Sequence, residues 1–448
     1  MSSVRGHLRG KVEFQVKAIR VGLLGLGTVG SGVVKIIQDH QDKLMHQIGC
    51  PVLIQKVLVS NPDKKRDVDV AREVFTTEVY DVIRDPEIDV IIEVMGGIEE
   101  TKQYLIDALN EKKHVITANK DLMALYGTEL LHVAKENGCD LYYEASVAGG
   151  IPILRTLEEG LASDRITKMM GIVNGTTNFI LTKMNVDKSA YEDVLKEAQE
   201  LGFAESDPTA DVEGLDAARK MAILARLGFS MNVDLEDVKV KGISDISDED
   251  ISFSKRFGYT MKLIGIAQRD GEKVEVSVQP TLLPDHHPLS SVNNEFNAVY
   301  VYGSAVGETM FYGPGAGSLP TATAVVSDLV AVMKNMRLGV NGSGFIAPQF
   351  EKKIKASSEV FAQQFLRIHV RDQVGAFSRI TSIFSERGIS FEKILQLPVK
   401  GHDELAEIVI ITHQTSEEDF ANILQTLNDL DVVVQVKSTY RVEGNGLS

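Results

Sequence analysis

Cysteine is scarce in this 448-residue chain, with Cys50 and Cys139 alone. Two are too few for a disulfide framework or a cysteine-rich metal site. No Cys/His set has zinc spacing, and His286-His287, ahead of Pro288, reads as a surface pair. No run of about 18 apolar residues occurs, so no membrane partner is expected. Cations are outnumbered: 47 Lys and Arg face 63 Asp and Glu, for a formal net charge of -16. Phosphate backbones are bound by clustered cations, so no nucleic-acid partner is expected either. The opening stretch MSSVRGHLRGKVEFQVKAIR has no long apolar core. A secretory signal is therefore not expected, and the default compartment is cytoplasmic. No repeat or low-complexity tract stands out.

What is present is ordinary globular composition, 44% hydrophobic and 25% charged. At roughly 100–200 residues per domain, the length predicts two to four domains. AIRVGLLGLG (Ala18–Gly27), VLIQKVLVS (Val52–Ser60), DVIIEVMGG (Asp89–Gly97), HVITANK (His114–Lys120) and DLYYEAS (Asp140–Ser146) read as strands. Strands alternating with helices predict an α/β fold with a parallel sheet over 18–150, after an N-terminal extension at 1–17. From Gly149-Gly150 onward the pattern changes. KVEVSVQPTLL and NAVYVYG predict an α+β domain over 151–317. The glycine turn GPGAG then feeds a long helix, taken over 318–340 as completing the first domain. Residues 341–363 read as a polar linker. Residues 364–445 read as a self-contained βαββαβ unit.

Gly25-x-Gly27-x-x-Gly30 lies where a strand turns into a helix. Gly25 permits the tight turn, Gly27 the approach of a pyrophosphate, and Gly30 the packing of helix on strand. Leu26, Thr28 and Val29 complete the loop, and the helix N-terminus attracts phosphate. After the second strand, Ser60-Asn61 stands where NAD enzymes place an acidic residue, and Lys64-Lys65-Arg66 follows. The missing carboxylate suits a 2′-phosphate, so NADP(H) is preferred. A solvated charge run, with NAD(H) used instead, is the other reading.

LGFAESDPTADVEGLDAARKMAIL crowds Glu205, Asp207, Asp211, Glu213 and Asp216 ahead of a helix. Acids there cap a helix, and Asp216 and Lys220, four apart, commonly form a surface ion pair. The functional reading has the carboxylates grip a substrate ammonium. Lys220 then moves the proton that accompanies hydride transfer, with Asp216 orienting it. Lys120, in Ala118-Asn119-Lys120, lies at the C-terminal end of a strand, where open α/β sheets bind ligands. Around Glu144, Val147, Gly149 and Ile151, backbone carbonyls could serve a hard cation, though spacing alone does not establish one.

Together GLGTVG, TANK, EASVAGGIPI, GIVNGTTNFI, GFAESDPTADVEGLDAARKMAIL and YGPGAG resemble homoserine dehydrogenase over residues 18–340. The resemblance implies interconversion of aspartate 4-semialdehyde and homoserine with NAD(P)H. It implies Lys220 as proton donor with Asp216 as its partner, and Lys120 beside nicotinamide and substrate. Glu205 and Asp211 would hold substrate polar groups, and Thr176 would line the pocket. Gly202, Gly315 and Gly317 would approach the cofactor from the other domain. Glu144, Val147, Gly149 and Ile151 match a family structural sodium site. The family also implies a homodimer or homotetramer formed through the middle sheet. The C-terminal unit resembles an ACT domain. RDQVGAFSRI places Asp372, Val374 and Gly375 where such domains bind an amino-acid effector, with threonine the first expectation.

Overall fold

The computed structural model describes residues 18–187, 189–342 and 346–443. The extension expected at 1–17 lies outside them, as do residues 444–445 of the expected C-terminal unit. Contacts divide the chain into two compact units. One holds the residues up to Ser163 with 226–235 and 313–349; the other holds 164–225, 236–312 and those from 350 on.

The first unit is built on six strands: β1 (Ile19–Leu24), β2 (Val52–Leu58), β3 (Phe75–Thr76), β4 (Val90–Glu93), β5 (His114–Thr117) and β6 (Leu141–Tyr142). They lie in the order β3-β2-β1-β4-β5-β6, and every pairing is parallel. Parallel strands are covered on both faces, which is why these read as unbroken apolar runs. All four residues of β4 and of β5 are buried. The strand order reverses beside β1, the switch point at which such sheets open a ligand crevice. The helix Ser318–Leu338 belongs here, since its Ala322, Val325, Leu329 and Met333 share one core with Val21, Leu23 and Val33. The strand expected over Asp140–Ser146 is cut to β6. The chain turns tightly at Glu144–Ser146 instead, because the Glu144 carboxylate gathers backbone amides ten residues ahead.

The second unit carries β7 (Ile166–Ile172), β8 (Val238–Val240), β9 (Tyr259–Asp270), β10 (Lys273–Pro284), β11 (Phe296–Gly303) and β12 (Gly307–Pro314). To these it adds β13 (Phe361–Arg371), β14 (Phe391–Val399), β15 (His402–Thr412), β16 (Thr415–Ser416) and β17 (Val433–Val442). The main sheet runs β12-β11-β7-β9-β10-β17-β13-β15-β14. The C-terminal unit has the expected helices, Ala376–Ser385 and Glu417–Asn428, and its own core around Leu366, Ile380, Phe384 and Ile423. It is not self-contained, however. Its last strand pairs in parallel with β10 at Thr281–Arg441 and Leu282–Val442, making one continuous sheet. The segment 341–363, expected as a linker, is also tied down. Val274 of β10 exchanges backbone hydrogen bonds with Lys353 and Lys355 on either side of Ile354.

Buried charge marks the junction of β17 with β10. Arg441 pairs with Glu275 at 3.5 Å and with Glu443 at 2.8 Å, and Lys168 of β7 reaches Glu443 at 2.5 Å. Burial alone would raise the Glu443 carboxyl, but Arg441 and Lys168 hold it down to about 2. A carboxyl depressed in the fold contributes stability above its ordinary value of 4.5 and loses it as pH falls toward 2. Glu443→Gln is therefore expected to flatten the loss of stability across that acid window. Denaturant titrations at several pH values check this, and a slope unchanged from the parent would contradict it.

Candidate active site

The dinucleotide loop is local geometry. Gly25 takes φ +102, and a Cβ there would lie 2.9 Å from Met95 Cα. A Cβ on Gly30 would lie 2.3 Å from the Gly25 carbonyl oxygen, so the helix Thr28–Asp39 could not seat against the turn. A Cβ on Gly27 would meet nothing within 4 Å. Gly27 and Thr28 are exposed at the helix N-terminus, while Leu26 is buried beneath them. An open backbone cradle at a helix start fits the pyrophosphate of a dinucleotide.

Beside the loop, Glu93 at the end of β4 is fully buried. It accepts from the Met95 and Gly96 amides at 2.9 Å each, and from the Thr117 hydroxyl at 2.5 Å. Burial raises its carboxyl while these donors pull it back. Glu93 thus ties the Met95–Gly97 loop to the end of β5. Asn119 caps the next helix through the Leu122 amide and donates to the Gly97 carbonyl at 2.7 Å. Lys120 is the first residue of that helix and half-buried.

After β2, Ser60, Asn61, Lys64 and Lys65 are exposed. Arg66 is not a free cation, because its guanidinium donates to the carbonyls of Lys64 and Asn61 at 2.8 Å each. The charge run is therefore divided, with Arg66 holding the loop and the two lysines facing solvent. Gly315 and Gly317, expected from the other domain, lie in the first unit instead. A Cβ on Gly149 would strike the Gly315 carbonyl at 2.4 Å, and the Ser318 hydroxyl donates to Thr28 O at 2.7 Å.

The Glu144 carboxylate accepts from the Leu154 and Arg155 amides at 2.8 Å each, which leaves its side chain poorly placed as a metal ligand. Among the described residues, the buried carbonyls of Val147 and Gly149 accept no hydrogen bond. Orphaned carbonyls in a buried turn fit a hard cation held by the backbone.

In the second unit the acidic stretch sorts itself. Asp207 accepts from the amide and hydroxyl of Thr209, and Glu213 accepts from the Ser244 hydroxyl. Glu205 is exposed, and Gly202 forms a left-handed turn at φ +77. Asp216 and Lys220 lie one turn apart on the helix Leu215–Phe229. Lys220 Nζ donates to Asp216 Oδ2 at 2.6 Å and to the Val173 carbonyl at 2.7 Å. Both side chains are nearly buried, at 12% and 8% exposed, so this is not the surface ion pair that the spacing alone suggested.

Asn174, which the sequence reading did not single out, closes the cluster. Its amide nitrogen donates to Asp211 Oδ1 at 2.7 Å and to Asp216 Oδ2 at 2.8 Å. Only its place at the end of a strand, before the glycine opening the helix Gly175–Asp187, could have drawn notice. Thr176 is buried and donates its hydroxyl to the Phe203 carbonyl at 2.6 Å, fixing the loop after Gly202. In the C-terminal unit, Gly375 takes φ +87 at the start of the helix Ala376–Ser385, Val374 stands fully exposed, and Asp372 is exposed beside it.

A carboxylate-held lysine and a dinucleotide loop are the parts of a nicotinamide-dependent carbonyl reductase. Comparison with known proteins agrees. Residues 25–144 match the model for the homoserine dehydrogenase NAD-binding domain, 152–330 that for homoserine dehydrogenase, and 365–432 that for the ACT domain. The homoserine dehydrogenase of Bacillus subtilis (strain 168) is 82% identical over 433 residues, covering 97% of this chain and all of the relative. A homoserine dehydrogenase structure from Thiobacillus denitrificans superposes with a TM-score of 0.88 at 37% identity, covering 95% of this chain and 98% of that one. A hyperthermophilic archaeal homoserine dehydrogenase in complex with NADPH matches at TM-score 0.60 and 25% identity, covering 74% of this chain and all of that one. The chain belongs to the homoserine dehydrogenase family.

Proposed function

We propose that Lys220 donates the proton in the reduction of L-aspartate 4-semialdehyde to L-homoserine and takes it back in the reverse direction. The observation that carries this is the buried Lys220–Asp216 pair. Two of the three Nζ donor directions go to Asp216 and the Val173 carbonyl, which leaves the third for a substrate oxygen. The bound nicotinamide supplies a hydride to the aldehyde carbon, and the oxygen then needs a proton as charge builds on it. Lys220 meets that need, and the neighbouring Asp216 stabilises the ammonium until transfer. Asp211 and Glu205 hold the substrate ammonium, with Thr176 lining the pocket through the backbone that it fixes. Lys120, at the ligand-binding end of β5, polarises the reacting carbonyl. Gly25 to Gly30, with Gly202, Gly315 and Gly317, give the cofactor backbone room.

The finer assignments rest on the same residues. NADP(H) is the preferred cofactor, since Lys64 and Lys65 are left exposed after a strand that ends without a carboxylate. The archaeal relative with NADPH bound is in keeping with that reading. A sodium ion is held by the backbone carbonyls of Glu144, Val147, Gly149 and Ile151; metal analysis of dialysed protein checks this. The effector is an amino acid, threonine first, with its carboxylate at the Asp372–Gly375 loop. The pathway is threonine, methionine and isoleucine biosynthesis in the cytoplasm, by a homodimer or homotetramer whose mass light scattering reports. Among the described residues, no helix is long and apolar enough to cross a membrane.

Lys220→Ala should lower kcat by about 10²–10⁴-fold while NADPH still binds, as read by fluorescence titration beside NADPH-oxidation assays. Retained turnover would sink the proton-donor assignment. Adding threonine to the parent assay should lower the rate, and a rate unmoved at millimolar threonine would remove it as effector. Lys64→Ala with Lys65→Ala should raise KM for NADPH several-fold and leave KM for NADH nearly unchanged. A parent already favouring NADH would refute the preference.

A further inference from the structure

We propose that Asn174 is a positioning residue for the reaction, which sets Lys220 and Asp216 in donating geometry and ties them to Asp211. The proposal rests on the assignment of Lys220 as proton donor. It begins with which way the Asn174 amide points. Its Oδ1 lies 2.9 Å from both the backbone nitrogen and the hydroxyl of Thr177. A backbone N–H can only donate, so that end must be the oxygen. The other end then places its NH₂ between Asp211 Oδ1 at 2.7 Å and Asp216 Oδ2 at 2.8 Å. The two assignments agree, and a flipped amide would lose the bonds to the Thr177 amide and to both carboxylates together.

No other small side chain could take this place. Two carboxylates facing one point need two hydrogens delivered in different directions. An amide NH₂ has two, serine has one, and aspartate when ionised has none. Asn174 is also itself held. It is buried and lies two residues beyond β7, which is paired with β9 on one side and β11 on the other. Its neighbour Val173 supplies the carbonyl that accepts from Lys220. Two consecutive residues thus grip the lysine and its counter-charge, one through backbone and one through side chain.

The consequence is geometric. Asp216 Oδ2 receives Lys220 Nζ at 2.6 Å and the Asn174 amide at 2.8 Å. With two donors on one oxygen, the carboxylate cannot rotate, and the remaining Nζ hydrogen keeps one direction. Without Asn174, Asp216 Oδ2 and Asp211 Oδ1 each lose the amide donor that links them, and the hold on the direction of Lys220 loosens. A misplacement of about 1 Å at a reacting group can cost about 10²-fold in rate.

The test uses Asn174→Ala and Asn174→Asp in the full chain, with NADPH and aspartate 4-semialdehyde. Asn174→Ala should lower kcat about 10–100-fold and leave the NADPH dissociation constant near the parent value, while the thermal midpoint falls modestly because the Thr177 amide loses its acceptor. The solvent deuterium isotope effect on kcat should grow, because proton donation becomes more limiting; a merely structural role would not move it. Asn174→Asp is nearly isosteric but sets a third carboxylate against two others, so its loss should be at least as deep. Asn174→Ala with kcat within twofold of the parent would overturn the proposal. So would a loss that follows the thermal midpoint with the isotope effect unchanged. Lys220→Ala run in parallel separates the two ideas. If it keeps turnover, the proton-donor assignment fails whatever Asn174 does. If it is inactive and Asn174→Ala is normal, only the role of Asn174 fails.

Discussion

A lysine ammonium held largely out of water needs acceptors, and the end of β7 and the helix Leu215–Phe229 together supply them to Lys220. Taking an ammonium and a carboxylate out of water costs several kcal/mol for each ion, so the Lys220–Asp216 attraction alone does not hold the site together. The added bonds from Val173 and Asn174 make the pair affordable. Those bonds require β7 to end at a fixed height against the helix Leu215–Phe229. Glycine achieves this at Gly265, where a Cβ would lie 2.3 Å from Met221 Cγ. The helix rests directly on the sheet backbone, with Met221 next to Lys220 in the contact. A larger residue on that floor would lift the lysine away from its acceptors.

The first unit meets a similar demand with the opposite charge. Glu93 is received by neutral donors: the Met95 and Gly96 amides and the side chains of Thr117 and Asn119. Glu144 is treated alike, with both oxygens taken by successive amides. In each case the carboxylate spends its lone pairs on shaping a loop. A buried acid is therefore an uncertain sign of chemistry in this family member. What separates Asp216 is a titratable partner with a donor direction left over.

That distinction explains how much could be read beforehand. The glycine loop was legible because its three glycines fall within six residues at a strand-to-helix turn, where Gly30 must pack on the Gly25 carbonyl. The alternation of strands and helices was legible because burial on both faces leaves apolar runs. The acidic stretch was legible as a motif but not as five separate jobs. Asp207 turned out to serve a local hydrogen bond and Glu213 one to Ser244, whereas Asp211 and Asp216 meet at an asparagine 37 and 42 residues away. No spacing rule reaches that far. The same limit applies to the last strand. Its pairing with β10 joins Arg441 to a strand some 160 residues earlier, so a unit that looks independent in sequence shares its sheet.

The shared sheet joins the C-terminal unit to the strand that runs up to Val173 and Asn174. Allostery requires a differential contact at each site and an element that both sites bias. β7 has the right position for such an element. Near its start, Lys168 is bonded to Glu443, directly beyond β17. Just past its end, Val173 and Asn174 hold Lys220 and Asp216. About 5 residues of paired strand separate the two ends, roughly 3.3 Å each. The loop at Gly375 opens a helix of the same C-terminal unit, whose core rests on β13, the neighbour of β17. Hydrogen-bonded strands and one buried ion pair thus join that unit to the strand ahead of Val173 and Asn174.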